Sequence, residues 1–174
     1  MEFSTPIILE DKSRLTEIYN LRILAYEHSS KSIYVNRNVF PEGWKDDLDE
    51  QAIHWVVEYD NNIIASARLA VLNDLADTGE DIYDFDLPPG RPFAYYSRLV
   101  VHPNFQGYGL GKILDEIRLK YIKDEPISFG LAFSFDDRST SLLKLGFIEL
   151  GIVNYKWCGL PVPQTVQRFF IFPK

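Results

Sequence analysis

Three alternating glycines between a strand-like run and an amphipathic run constrain the fold more than any other part of the sequence. Residues 97–111 read SRLVVHPNFQGYGLG. Beyond them, apolar side chains recur at the spacing of one α-helical face. These side chains are Leu110, Ile113, Leu114, Ile117 and Tyr121. We therefore expect a strand, a glycine loop and a helix in direct succession.

The glycine loop points to an anion site. Several backbone N–H groups can face one concavity at a helix N-terminus, where the helix dipole also favours phosphate or pyrophosphate. Glycine spacing alone also fits a flexible turn. The P-loop is excluded because Ile113, not Ser or Thr, follows Lys112. The dinucleotide fingerprint is excluded because its third glycine is spaced by two residues, unlike the glycines here.

The remaining patterns predict an α+β protein, a three-layer sandwich with a mixed, mostly antiparallel sheet of six to seven strands flanked by helices. Asp11 is the predicted cap of the first helix and Asp137 of the last, which runs to Leu145 and stops at Gly146. A turn of helix is expected at 48–53. The predicted strands span 7–9, 54–59, 63–72, 94–101, 128–133, 147–153 and 166–172. One domain, 1–174, is expected.

Composition narrows the class of protein. A net charge of −7 repels phosphate backbones, so we expect no nucleic-acid partner. No apolar run is long enough for a membrane span, and the N-terminus has no export signal, so we expect a cytoplasmic protein with no membrane partner. The lone cysteine, Cys158, and three scattered histidines predict neither an internal disulfide nor a metal site.

Three separated signatures carry a family resemblance. Gln106, Gly109 and Gly111 fit the pattern Gln/Arg-x-x-Gly-x-Gly/Ala, the run LVVHP precedes them, and Leu-Gly-Phe occurs at 145–147. With these signatures the chain resembles the GNAT superfamily of acyl-CoA-dependent N-acyltransferases, in matching element order over residues 7–172. The resemblance implies an N-acetyltransferase that uses acetyl-CoA or another acyl-CoA, acts on an amine of a small molecule or peptide, and could form a homodimer.

The resemblance also assigns the cofactor site. Leu99, Val100 and Val101 are expected along the pantetheine arm, and seven residues are expected around the phosphates. These seven are Gln106, Gly107, Tyr108, Gly109, Leu110, Gly111 and Lys112.

The resemblance implies a backbone N–H near Val100 as the oxyanion donor and a Tyr in the last helix as the acid. That Tyr position falls on Leu142, which cannot donate a proton. Tyr95, Tyr96 and Ser97 are the nearest alternatives, and Tyr96 and Ser97 are our candidate catalytic residues. A Tyr on a strand is also a common core residue.

Three arginines, Arg22, Arg68 and Arg98, lie within apolar elements, where an unpaired guanidinium is costly. One interpretation pairs each with a carboxylate of the chain, such as Glu58. The other makes them substrate-binding residues that hold a substrate carboxylate. His54 is either a base or a hydrogen-bonded structural residue.

Two alternatives to an acetyltransferase remain. Leu21-Arg22, Ala67-Arg68-Leu69 and Ser97-Arg98-Leu99 resemble the acyl-homoserine-lactone and N-acyl amino acid synthases, a GNAT-like branch that takes long acyl groups from a carrier protein. A non-catalytic acyl-CoA-binding module is the other, suggested by Leu142. In the family that the chain resembles, the region between the third and fourth strands often lies close to the acceptor cleft, so the acidic loop 73–92, with Asp81, Asp84 and Asp86, predicts a preference for cationic acceptors.

Overall fold

The computed structural model describes residues 3–157 and 162–174, and this part of the chain contains seven strands and three α-helices. The strands are β1 (Ile7–Ile8), β2 (Ile53–Tyr59), β3 (Asn62–Leu72), β4 (Phe93–Val101), β5 (Phe129–Ser134), β6 (Ile148–Tyr155) and β7 (Thr165–Pro173). The helices are α1 (Leu15–Glu27), α2 (Leu110–Asp124) and α3 (Asp136–Lys144). No helix among the described residues is long and apolar enough to cross a membrane.

The strands form one mixed sheet in the order β1-β2-β3-β4-β5-β7-β6. β4 pairs with β5 in parallel, with Ala94 opposite Gly130. The β1–β2, β5–β7 and β6–β7 pairs are antiparallel. The predicted α+β class with a mixed, mostly antiparallel sheet is therefore confirmed.

The chain divides into two compact units, each with its own core. The first comprises Met1–Arg68 and Arg98–Arg118, and the second Leu69–Ser97 and Leu119–Lys174. In the first unit, α1 packs its apolar face on β2, β3 and the end of β4 through Leu9, Leu15, Ile18, Tyr19, Leu21, Val56, Ile63 and Val100. In the second unit, stacked rings fill the core, with centroids 5.4 Å apart in the Phe93–Phe129 pair and 4.9 Å in the Phe133–Phe169 pair.

Two helix starts differ from the sequence predictions. Asp11 accepts from the Ser13 N–H at 3.0 Å and so caps a 3-10 turn, Lys12–Arg14, that precedes α1. Helix α3 has Phe135, not Asp137, at its cap. Its first turn holds Asp136 and Asp137, whose carboxylates favour the positive end of the helix dipole. Residues 48–51 form turns rather than a turn of helix.

The stop of α3 follows the prediction. Gly146 has a φ of 94°, a left-handed conformation that glycine adopts without steric cost. The reversal lets the Phe147 N–H donate to the Leu142 carbonyl at 3.1 Å. The Leu-Gly-Phe run thus ends the helix by a standard capping motif.

Candidate active site

The glycine loop connects β4 to α2 in the first unit. The strand ends at Val101, and a 3-10 turn follows in which the Asn104 N–H donates to Nδ1 of His102 at 3.1 Å. Gly107 and Gly109 then take φ values of 84° and 80°, where a side chain would be strained. A Cβ at either glycine would meet nothing within 4 Å. The loop is therefore bent by its glycines and open above them.

Helix α2 begins directly at this open surface. The Ile113 N–H donates to the Gly109 carbonyl at 3.1 Å, so the first N–H groups of the helix lie at the loop, where they have no acceptor within the helix. A Cβ on Gly111 would lie 3.6 Å from Leu99 Cδ2 and 4.0 Å from Val101 Cγ2, which places the end of β4 beside the first helical turn. An open, glycine-bent loop at a helix N-terminus fits a pyrophosphate.

Some of the other predicted cofactor residues are exposed to solvent and others are buried. Gln106 is exposed and its Nε2 lies 3.5 Å from the Val101 carbonyl. Tyr108 is 54% exposed, with its ring 5.5 Å from that of Phe3. The Lys112 side chain is 77% exposed and its Nζ lies 3.7 Å from Glu116 Oε1, so it is accessible to a phosphate. Leu110 and Val100 are buried.

Five charged side chains of the same unit form one buried chain of ion pairs, which we call the ladder. Its members are Arg22 of α1, Asp46 and Asp49 of the segment after α1, Arg68 of β3 and Arg98 of β4. Arg22 donates to both Asp49 oxygens at 2.8 Å. Arg68 Nη1 donates to Asp49 Oδ1 at 2.9 Å and also to Asp46 Oδ1. Arg98 Nη2 donates to Asp46 Oδ2 at 2.6 Å.

The charged side chains of the ladder are buried and therefore require their ion-pair partners. No side chain in it is more than 4% exposed. Burial alone would raise the pKa of each carboxyl, but the adjacent guanidinium groups outweigh it. Arg98 and Arg68 lower the pKa of the Asp46 carboxyl to about 2. Arg22 and Arg68 lower the pKa of the Asp49 carboxyl below that of Asp46. Both carboxylates are charged at neutral pH.

His54 borders the ladder. Its Nε2 lies 2.9 Å from the Asp49 carbonyl, an acceptor, so Nε2 carries the proton. Nδ1 is buried and has no hydrogen-bond partner among the described residues. Burial and the charge of Arg22 lower the pKa of His54 to about 4. His54 is a hydrogen-bonded neutral side chain at neutral pH, which favours the structural interpretation.

Arg98 has an unusual backbone for a strand residue. Its φ is 56°, in the left-handed region that costs a non-glycine residue about 1–3 kcal/mol. Its guanidinium carbon lies 4.1 Å from the centroid of the Trp44 ring, a cation–π contact. The Arg98 side chain is therefore held by both a carboxylate and an aromatic ring.

The arginines have carboxylate partners in the chain, but not the suggested one. Glu58 accepts from Arg14 Nη1 at 2.5 Å, whereas Arg22, Arg68 and Arg98 contact Asp46 and Asp49. A role of these arginines toward a substrate carboxylate stays a prediction. Neither aspartate was singled out from the sequence. A usable signal was that both lie close to Trp44 and Leu48, which are apolar residues within a polar run.

The candidate proton donors belong to the second unit. Tyr96 is 3% exposed, and its ring packs 5.2 Å from that of Phe147. Ser97 is half-buried. The hydroxyl groups of Tyr95 and Tyr155 lie 2.8 Å apart. Leu142 is buried at 2% exposure and packs as a core residue.

One acidic residue of the loop 73–92 is buried. Asp81, Asp84 and Asp86 are exposed, whereas Glu80 is buried and accepts from the Lys156 N–H at 2.5 Å. Cys158 lies outside the described residues. Within the described ranges, no group of three or more His, Cys, Asp or Glu side chains could hold a metal ion.

The acetyltransferase (GNAT) family model matches residues 15–147, which is most of the chain. The chain belongs to this family. The predicted family is thereby confirmed, and with it an acyltransferase class of protein. No curated protein matches the sequence.

Solved structures share the fold at low identity. One is FeeM, an N-acyl amino acid synthase from uncultured soil microbes, with a TM-score of 0.68, 12% identity and coverage of 99% of this chain and 91% of that one. A histone acetyltransferase HPA2-related protein from Corynebacterium glutamicum has a TM-score of 0.66, 16% identity and coverage of 98% and 97%. A GNAT acetyltransferase from Elizabethkingia anophelis, solved with acetyl-CoA, has a TM-score of 0.61, 16% identity and coverage of 99% and 98%.

Proposed function

We propose that the chain is an N-acetyltransferase that moves an acetyl group from acetyl-CoA to an amine. The glycine loop carries the proposal, because Gly107 and Gly109 leave an open surface at the start of α2 where a pyrophosphate fits. Family membership supports an acyl-CoA as the cosubstrate. The Elizabethkingia anophelis protein of the same fold holds acetyl-CoA.

Bound acetyl-CoA supplies a thioester. The neutral amine nitrogen of the acceptor attacks the carbonyl carbon, the C–N bond forms, the C–S bond breaks, and the amine proton leaves while sulfur takes up a proton. In this scheme the N–H near Val100 stabilises the negative charge that develops on the carbonyl oxygen. Lys112 and the loop N–H groups from Gln106 onward hold the phosphates.

Because Leu142 stands where the family has a tyrosine and cannot donate a proton, the proton that sulfur takes up must come from another group. We assign it to Ser97 or Tyr96, of which Ser97 is more exposed. The conservative variants Ser97→Ala and Tyr96→Phe separate them, since each removes one hydroxyl and little else. The variant that loses the donor is expected to lose about 10²-fold in kcat, the size of a general-acid effect. If both keep wild-type kcat, thiolate leaves without help from either side chain.

Calorimetric titration with acetyl-CoA, CoA and an acyl-carrier protein tests the proposal first. Gly109→Trp fills the open loop and is expected to abolish acetyl-CoA binding. Lys120→Trp is the matched control: it introduces the same side chain at a position of α2 that is 75% exposed and outside the predicted cofactor residues, so binding should remain. An amine panel, read by release of free CoA thiol, then tests turnover. Binding without turnover would favour a non-catalytic acyl-CoA-binding module instead.

A carrier-dependent, long-chain N-acyltransferase is the second candidate function. The short matches to the acyl-homoserine-lactone and N-acyl amino acid synthases contain Arg22, Arg68 and Arg98, and these three arginines are the cationic members of the ladder. Preference for the acyl-carrier protein over acetyl-CoA in the titration would select this candidate. The net charge of −7 disfavours an acidic carrier.

The acceptor is proposed to be cationic. Asp81, Asp84 and Asp86 are exposed on the acidic loop and could attract an ammonium-bearing substrate. Replacing all three by Asn is expected to raise the acceptor KM and leave kcat unchanged. An unchanged KM would make the loop a merely solvated segment.

A further inference from the structure

Arg98 departs from strand geometry directly before the predicted cofactor residues of β4. Its φ of 56° lies in the left-handed region, while Leu99, Val100 and Val101 follow it in the same strand. A positive φ lies outside the extended geometry of a strand, so it changes the direction of the peptide groups that follow. The direction of the N–H groups at Leu99 and Val100 therefore depends on the Arg98 backbone.

The Arg98 side chain is fixed from the segment between α1 and β2. Its Nε and Nη2 donate to Asp46 Oδ2 at 3.2 and 2.6 Å, and its guanidinium lies 4.1 Å from the Trp44 ring centroid. Asp46 is fixed in turn, because its N–H donates to Asp49 Oδ2 at 2.9 Å and its other carboxylate oxygen accepts from Arg68. A left-handed arginine persists only when its surroundings hold it there.

We propose that Asp46 and Trp44 are positioning residues for acyl transfer. By clamping the Arg98 side chain, they keep the left-handed backbone at Arg98 that presents the N–H near Val100 to the acyl carbonyl oxygen. The inference rests on the proposed function, which supplies the role of that N–H. It adds that residues of the segment before β2, with no predicted contact to the acyl donor, set the geometry of the reacting centre.

We call the contacts of Asp46 and Trp44 with the Arg98 side chain the clamp. Paired substitutions at Arg98 distinguish a positioning role of the clamp from a purely structural ion pair. Arg98→Gly and Arg98→Ala both remove the guanidinium, but only glycine holds a positive φ without steric cost. The proposal expects Arg98→Ala to lose about 10²-fold in kcat, the effect of a displaced catalytic group, and Arg98→Gly to recover part of that loss. If the ion pair only stabilises the fold, the alanine variant is at least as active as the glycine variant.

Asp46→Asn tests the clamp from the other side. It keeps the size of the side chain and removes the charge that holds Arg98, so kcat should fall while the Kd for acetyl-CoA changes little. Glu58→Gln is the control, since Glu58 forms an ion pair with Arg14 in the same unit and outside the ladder. It should lower the stability and leave kcat near the wild-type value.

Chemical shifts, which can be measured without turnover, distinguish a failure of the clamp from a failure of the proposed function. Carbon-13 chemical shifts at residue 98 report a left-handed backbone, and amide shifts report the N–H groups at 99–101. The clamp predicts a left-handed signature in the wild type that is lost in Asp46→Asn, whether or not any amine is acetylated. A signature retained in Asp46→Asn, or equal kcat values in the two Arg98 variants, overturns the clamp. Absence of acetyl-CoA binding in the wild type overturns only the proposed function. If Asp46→Asn does not fold, the Arg98 pair decides.

Discussion

In the first unit, five charged side chains share one buried ladder, whereas in the second unit the buried hydroxyl groups of Tyr95 and Tyr155 lie 2.8 Å apart within packed rings. The Tyr155 ring lies 5.0 Å from Phe133 and 5.4 Å from Trp157. One unit buries full charges on backbone segments far apart in sequence. The ring cluster of the other unit buries neutral hydroxyls on large apolar rings.

This difference determines how each region responds to change. A buried ion that loses its partner retains the full cost of desolvation, so the ladder requires nearly all of its members at once. A tyrosine that loses its hydroxyl keeps its ring contacts and most of its buried apolar area. The ladder therefore fixes one arrangement of its segments, while the ring cluster tolerates small polar changes.

The largest effect is expected from Asp49→Asn. This change removes a charge from the carboxylate shared by Arg22 and Arg68 and leaves buried cations uncompensated. The free energy of unfolding should fall by about 3–5 kcal/mol. Urea denaturation followed by circular dichroism measures it. A loss no greater than that of an exposed charge would show that the ladder is not a source of stability.

Acid should destabilise the protein through the first unit. The folded-state pKa of His54 is lowered to about 4 from an ordinary 6.5, so the unfolded chain binds more protons between these values and stability is lost as the pH falls from about 6.5 to 4. The loss should reach about 3 kcal/mol at pH 4. Asp46, with its pKa near 2, adds a further loss from about pH 4 to 2.

Denaturation curves at pH 7, 6, 5 and 4 measure this dependence in the wild type and in His54→Gln. Glutamine can donate to the Asp49 carbonyl but does not titrate, so the variant should show a flatter profile above pH 4. Equal slopes in the two proteins would assign the acid sensitivity to other groups.

A smaller effect is expected from Tyr155→Phe in the second unit. The change removes one side of the contact with the Tyr95 hydroxyl, and the net value of such a hydrogen bond is about 1 kcal/mol. Thermal unfolding at pH 7 and pH 5 should give the same loss at both values, because a tyrosine hydroxyl ordinarily ionises only near pH 10. A loss that grows in acid would contradict the contrast between the units.

The smallest effect is expected from Glu116→Gln on α2. Its carboxylate lies 3.7 Å from Lys112, and both side chains are largely exposed. The stability should change by less than about 0.5 kcal/mol. Acetyl-CoA affinity, measured by calorimetry at low and high salt, should not weaken, since Lys112 becomes freer to contact a phosphate. Weaker binding would show that Glu116 orients Lys112.

Local signals predicted much of the fold. The helical spacing from Leu110 placed α2, and the glycine in Leu-Gly-Phe placed the end of α3, because each depends on neighbouring residues alone. The strand pattern gave the sheet class. The starts of α1 and α3 were not predicted correctly, because an acidic residue can either cap a helix or lie within its first turn, as Asp137 does.

The candidate site was predicted in part. The glycine loop was found because its residues are consecutive, and three arginines in apolar elements signalled that buried partners must exist. Their partners were not found, because Asp46 and Asp49 lie in the segment 29–49 where no periodicity assigns an element. The left-handed φ of Arg98 has no local signal in the sequence, and the residues that its side chain contacts, Trp44 and Asp46, lie far from it along the chain.

The shared carboxylates of the ladder have an evolutionary consequence. Asp46 and Asp49 each serve two arginines, so a single substitution at either one leaves two guanidinium groups without that partner. A fully apolar replacement of the ladder could be as stable, yet the intermediates on the way to it would each be strongly destabilised. The five positions are thus expected to be inherited or replaced together, and to covary wherever related sequences are aligned.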